Sequence, residues 1–114
     1  MVAVITYDDF EKVDMRVGKV IDVQEFPRAK NPSYKVRIDF GEEIGVKNSS
    51  LQARKDYTME EMLDRYVVCV VNFPPRNIAG FMSEVLVLGV PGCGDSVSLL
   101  GVDRVPVPLG GRIF

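Results

Sequence analysis

From position 34 to position 40 the chain alternates without a break. Tyr34, Val36, Ile38 and Phe40 are apolar or aromatic, and Lys35, Arg37 and Asp39 between them are charged. Successive side chains of an extended chain point to opposite sides, so this pattern is a strand with one buried face. On a helix the same residues would spread around the circumference, placing three charges among the apolar groups. A strand with one apolar face must be covered, and the simplest cover is more sheet.

The rest of the chain supplies it. Met15, Val17, Ile21 and Val23 alternate with Arg16, Gly18, Asp22 and Gln24, with Lys19 and Val20 as exceptions, and read as a first strand facing inward through the former set. Asp-Phe-Gly-Glu-Glu at 39–43 reads as a turn into a third strand carrying Ile44 and Val46. Residues 67–71 form a continuous apolar run of strand length, expected to be buried on both faces. Pro74 and Pro75 end it, since neither can donate to a ladder. Residues 85–88 are a further apolar strand, Gly89, Pro91, Gly92 and Gly94 a loop, 97–100 a final short strand, and the tail from Val105 is rich in Pro and Gly.

Two helix starts stand out. Thr6 precedes Tyr7, Phe10 and Val13, with Asp8 and Asp9 in the first turn where the helix dipole favours acid. Thr58 and Glu61 have capping-box spacing, and Met59, Met62, Leu63 and Tyr66 follow at i, i+3, i+4 and i+7. Met59 and Met62 are expected in the core. The order is helix, three strands, helix, two strands, then a short strand and tail. It predicts a mainly β protein: a five-stranded OB-fold Greek-key barrel with a short N-terminal helix and a helix between strands 3 and 4.

Composition narrows function. With 114 residues, 46% of them hydrophobic, the chain suits a single domain spanning 1–114 whose modest core gains from a partner subunit. There is no histidine, no Walker-type glycine loop and no metal-ligand spacing. The acidic pairs Asp8-Asp9, Glu42-Glu43 and Glu60-Glu61 are adjacent, so their side chains diverge rather than converge. Binding rather than catalysis is expected, with no cofactor and no metal. A net charge of −2 excludes gripping nucleic acid by bulk positive charge, so any such site must be small and shaped. Cys69 lies in an apolar run and Cys93 in a Pro-Gly-Cys-Gly turn, so a buried and an exposed free thiol are expected. The opening Met-Val-Ala-Val-Ile lacks the basic region of a signal peptide, and no apolar run reaches the ~18 residues of a membrane span. The expected setting is a reducing cytoplasm, without membrane insertion.

Several ordered blocks resemble a known family. Asp-Met-Arg-Val-Gly-Lys-Val at 14–20 and Tyr-Lys-Val-Arg-Ile-Asp-Phe-Gly at 34–41 resemble the first two strands of the tRNA-binding-domain family. Asn-Phe-Pro-Pro-Arg at 72–76 resembles its Asn-Leu-x-Pro-Arg segment, and Gly-Phe-Met-Ser at 80–83 its Gly-x-x-Ser strand. Asp-Phe-Gly-Glu-Glu-Ile-Gly at 39–45, Ile-Ala-Gly-Phe at 78–81 and Ser-Glu-Val-Leu-Val-Leu at 83–88 are similar to the CsaA-like branch. The chain departs from the family's Ser-x-Gly-Met continuation, having Glu84, Val85 and Leu86 after Ser83, and carries Met82 where a basic residue is common. The resemblance implies an OB-fold homodimer that binds tRNA, related to modules appended to methionyl- and tyrosyl-tRNA synthetases. It equally implies a secretion-related chaperone for unfolded or export-bound polypeptides, or an assembly module for another protein.

The candidate RNA-binding residues are Asn72, Arg76, Asn77 and Ser83, around the strand 4–5 loop, with Lys47 and Arg37 on the barrel face. Arg pairs with phosphate or stacks on a base, and Asn and Ser read base edges or the 2′-hydroxyl. Asn72 could instead cap the turn, Ser83 simply begin a strand and Arg76 stay solvated. Phe73 and Phe81 would stack bases if exposed and plug the barrel if not. Met82 suits an adaptable apolar contact. Lys47, Arg54 and Lys55 make a second basic group; Arg16, Lys19, Lys35 and Arg37 belong to the first two strands, opposed by Asp22, Asp39, Glu42 and Glu43. For the dimer, the resemblance implies apolar contact through Tyr7 and Phe10, with the tail after Val105 wrapping a barrel edge.

Overall fold

The computed structural model describes residues 2–114. A short helix α1 (Tyr7–Glu11) leads into β1 (Met15–Glu25), β2 (Tyr34–Asp39), a helical turn α2 (Gly41–Ile44), β3 (Val46–Leu51), α3 (Met59–Met62) and β4 (Tyr66–Val70). The remainder is β5 (Arg76–Ile78), β6 (Phe81–Ser83), β7 (Leu86–Val87), β8 (Gly89–Pro91) and β9 (Val97–Leu99). Five antiparallel strands order as β3-β2-β1-β4-β7, and β5–β6 and β8–β9 are separate hairpins. The sheet curls until β3 reaches β6 and β7, which makes a nearly closed barrel of OB type.

The alternating segment does what its pattern dictates. Tyr34, Val36, Ile38 and Phe40 are at most 4% exposed. Leu51, Met62, Val67, Cys69, Val85 and Val87 complete the core around them, and β4 is buried on both faces after its first residue. Both cysteines are free, Cys69 buried and Cys93 exposed. Burial pushes the Cys69 thiol up to about 12, because a thiolate there would have no water around it.

Five expectations are corrected. In β1 the inward residues are Gly18 and Val20, not Met15, Val17 and Ile21: Val20 is fully buried and Ile21 is 39% exposed. A bulge between Val20 and Asp22 shifts the register against β2 and returns Val23 to the core side, which is why the alternation failed at Lys19 and Val20. Val17 is buried outside the main cluster, where the C-terminal tail pairs with β1: Val17 N–H donates to Gly111 O and Gly110 N–H to Val17 O. Ile44 belongs to α2 rather than to the third strand, because Asp39 Oδ1 accepts the Gly41 N–H at 2.9 Å and winds the chain into a turn that ends at Gly45.

Helix α3 starts as predicted, with Thr58 and Glu61 capping each other's backbone, yet stops at Met62. Leu63 is half exposed and Tyr66 opens β4. The cause is competition for backbone partners: Asp64 N–H donates to Val20 O and Val20 N–H to Arg65 O, so β1 captures the chain that helical periodicity would have continued. Met62 is in the core, but Met59 is 38% exposed. Finally, residues 89–91 are a strand paired with β9 rather than loop.

The barrel's last seam is stitched partly by side chains. Ser49, completely buried on β3, donates its hydroxyl to Val85 O at 2.8 Å. Ser50 N–H donates to Ser83 Oγ at 3.1 Å, and Asn48 N–H to Glu84 Oε1 at 2.9 Å, while Glu84 N–H returns to Asn48 O. A continuous ladder is not formed here, so these polar residues hold the closure.

Candidate nucleic-acid interface

Between β4 and β7 the expected loop is itself folded. After Pro74 and Pro75 the chain forms the β5–β6 hairpin, paired Arg76 to Ser83, Asn77 to Met82 and Ile78 to Phe81. Ala79 and Gly80 at its tip have φ of +50° and +87°, the left-handed pair that a tight I′ turn requires. Asn77 Oδ1 accepts the Gly80 N–H at 2.9 Å and locks that turn.

The pairing divides the candidate residues. Cross-strand partners share a face, so Arg76, Ser83, Ile78 and Phe81 project to one side and Asn77 and Met82 to the other. On the Arg76 side lies an open groove of about 1100 Å³. Its walls come from the loop between β1 and β2 (Lys30), from β3 (Ser50), from Phe73 and the β5–β6 hairpin, and from β8–β9 (Val90). Arg76, Ser83 and Phe73 line it; Asn77 and Met82 do not. Phe73 is 52% exposed, whereas Phe81 packs edge-on against buried Phe26 with centroids 5.5 Å apart. The Lys35 ammonium sits over both rings, at 5.3 and 5.5 Å from the centroids.

Asn72 lies before the groove. Its Oδ1 accepts the Asp14 N–H at 3.0 Å and its Nδ2 donates to Lys12 O at 2.7 Å, so both ends of the amide tie the start of β1 to the end of β4. Ser83 holds the seam through Ser50. Lys47 and Arg37 lie on opposite faces of the sheet, since Lys47 pairs with inward Ile38 and Arg37 with Asn48 and Asp22 on the outward face.

Electrostatics separate the basic residues further. Arg54 pairs with Glu25 at 2.9 Å, Lys55 with Asp95 at 2.8 Å, and Arg16 with Asp14 at 2.6 Å. The Lys55–Asp95 hydrogen bond raises the lysine's pKa and lowers the aspartate's. The Arg16–Asp14 bond likewise raises the arginine's. Among the described residues, Arg76, Lys30, Arg37 and Lys47 have no ion-pair partner. Sequence reading missed Lys30, Glu84, Leu86 and Val90 as groove residues. Only the fold brings positions 30, 84, 86 and 90 together, so no local signal marks them.

Helix α1 buries none of its residues. Tyr7 is 66% exposed, with its ring 5.9 Å from that of Phe10, and Val2 and Val4 ahead of it are almost wholly in water. Among the described residues no acidic or thiol cluster is grouped to hold a metal ion, and no helix is long and apolar enough to cross a membrane.

This barrel and its hairpin match known proteins along nearly the whole chain. The family model described as a putative tRNA binding domain matches residues 15–110. The chain belongs to the tRNA-binding-domain family. Within it the resemblance is to the CsaA-like branch: the crystal structure of the CsaA chaperone protein from Picrophilus torridus is 48% identical and superposes with a TM-score of 0.89, covering 97% of this chain and all of that one. The chaperone CsaA of Bacillus anthracis is 43% identical with a TM-score of 0.88, covering 98% of this chain and 100% of its own. The methionine–tRNA ligase of Thermococcus onnurineus is 38% identical over 109 residues, 96% of this chain but 14% of the ligase. This family member thus spans about one-seventh of that curated relative and corresponds to one module of it.

Proposed function

We propose that this tRNA-binding domain works as a homodimer in the cytoplasm, binding tRNA without catalysing a reaction on it. The observation that carries the reading is the groove beside the β5–β6 hairpin, where Arg76 is exposed, unpaired among the described residues and next to the half-exposed ring of Phe73. OB-folds use the connection between their fourth and fifth barrel strands, here the stretch from β4 to β7, and the face of strands 2 and 3 for oligonucleotides, which are the positions of Arg76 and of Arg37. Arg76 and Arg37 would hold phosphates, with Lys47 contributing from the barrel rim. Asn77 and Met82, on the hairpin's outer side, would touch only RNA that wraps it. Asn72 and Ser83 would act mainly by holding the hairpin in place. Two copies would present two such surfaces to one tRNA, and bivalency would offset a weak single site.

Dimerisation is supported by the bare apolar surface of Val2, Val4 and Tyr7, with the partly buried ring of Phe10 beside that of Tyr7. Removing residues 2–13 is expected to give monomers in sedimentation; a truncated protein that still dimerises would overturn this interface. The tRNA contact is tested by titrating fluorescent tRNA with wild type and Arg76→Ala over a salt series. Each phosphate contact contributes about −0.7 to −0.9 to the log–log slope, so the variant should bind more weakly and with a slope shallower by about one contact. Unchanged affinity and slope would remove Arg76 from the interface.

A second reading, a chaperone binding unfolded or export-bound polypeptides, is favoured by the apolar half of the same groove, where Leu86 and Val90 are each 49% exposed. The CsaA structures of Picrophilus torridus and Bacillus anthracis are both named as chaperones. Under this reading an unfolded polypeptide competes with tRNA.

A further inference from the structure

The groove's charges are not balanced as its composition suggests. It contains two acidic residues, Glu84 and Asp95, and two basic ones, Arg76 and Lys30. Asp95 is neutralised by its ion pair with Lys55, whereas Glu84 Oε1 accepts only the Asn48 N–H, which orients that carboxylate at the seam and leaves its charge in place. Neither base has an ion-pair partner among the described residues. The groove therefore sets two unpaired positive groups against one uncompensated carboxylate, Glu84, and its lining also holds apolar Leu86, Val90 and Val97 and the half-exposed ring of Phe73.

That combination fits a ligand with flat apolar faces joined by anionic links. A paired RNA helix does not match it, because its bases are stacked inside and only phosphate and ribose reach the protein. We propose that the groove takes unpaired nucleotides of the RNA, a base stacking on Phe73 and the flanking phosphates lying against Arg76 and Lys30. The proposal rests on the tRNA-binding reading and specifies the part of the RNA that enters. It explains how a chain of net charge −2 binds a polyanion at all: base stacking supplies affinity that electrostatics alone do not.

The test compares three labelled probes, whole tRNA, a short single-stranded RNA and a blunt RNA duplex, by fluorescence anisotropy. The single strand should bind and displace from wild type the tRNA that the duplex leaves in place. Phe73→Ala should weaken single-strand binding by about 5- to 150-fold, the range for loss of one stacked base. Val90→Glu adds a negative charge to the apolar lining at a half-exposed position and should weaken it as well, more at low salt than at high salt. Circular dichroism and melting confirm that each variant is folded. If tRNA binds but the single strand neither binds nor competes, or if both folded variants bind it like wild type, the groove is not the site and the tRNA reading survives. If an apolar peptide displaces tRNA where the single strand does not, the groove belongs to polypeptide. If tRNA itself fails to bind at low salt, both readings fall together.

Discussion

Replacing Ser49 by alanine tests how the barrel is closed. Ser49 is completely buried, and its hydroxyl donates to Val85 O at 2.8 Å across the seam between β3 and the segment leading into β7. Alanine fits the space, so sterics are spared and the loss is polar: the buried Val85 carbonyl keeps no partner from β3. Leaving a buried acceptor unsatisfied costs about 1–3 kcal/mol, above the ~1 kcal/mol of an ordinary exchangeable hydrogen bond. For a domain of this size each kcal/mol lowers the melting temperature by about 4 °C, so Ser49→Ala should melt about 4–12 °C below wild type. Ser98→Ala, an exposed hydroxyl on β9, is the control and should stay within about 0.5 kcal/mol of wild type. The assay is thermal unfolding followed by far-ultraviolet circular dichroism, with urea titration to show an unchanged slope. If Ser49→Ala melts within about 1 °C of wild type, the seam does not depend on this hydroxyl and the barrel closes by other contacts.

Gly18→Ala should destabilise by about 1–3 kcal/mol through overpacking, since its Cβ would fall 2.5 Å from Ile38 Cγ2 and 2.7 Å from Phe40 Cε1; chemical denaturation measures it. A thiol reagent at pH 8 should label one cysteine per native chain, Cys93, and two in denaturant, because Cys69 is buried and its thiol is pushed up to about 12. Asp9 has its pKa lowered, first by the Thr6 backbone N–H and then by the Thr6 hydroxyl. A lowered carboxylate pKa gives stabilisation that is complete above the unfolded value near ~3.9 and lost as pH falls through the folded value. The α1 amide signals should accordingly fray below about pH 4 in a nuclear magnetic resonance titration, and Asp9→Asn should show the frayed pattern at neutral pH.

The local rules that sequence obeys also appear in the fold. Tyr34 to Phe40 could only be a half-buried strand, because a two-residue period leaves no other way to separate four apolar side chains from three charges. Thr58 and Glu61 could start a helix because a capping box uses only groups three residues apart. The ordered blocks of residues also sufficed to mark the family. What the tertiary structure decided was every choice between competing partners. Helical periodicity runs on through Tyr66, but β1 offers its backbone at Val20 and takes the chain at Asp64. The inward phase of β1 depends on a bulge whose register exists only against β2.

The site follows the same division. That Arg76 and Phe73 lie together at the groove was legible because they flank the two prolines that mark a strand end. The separation of Asn77 and Met82 from Arg76 and Ser83 came from hairpin pairing, and the contribution of Lys30, Leu86 and Val90 from barrel closure. Whether a lysine or arginine is free to meet phosphate depends on carboxylates far away in sequence: Arg54 is answered by Glu25 and Lys55 by Asp95, whereas Arg76 has no ion-pair partner among the described residues. Local pattern carries secondary structure because its forces act over three or four residues. The groove had to wait for the fold because its walls are brought together by long-range contacts.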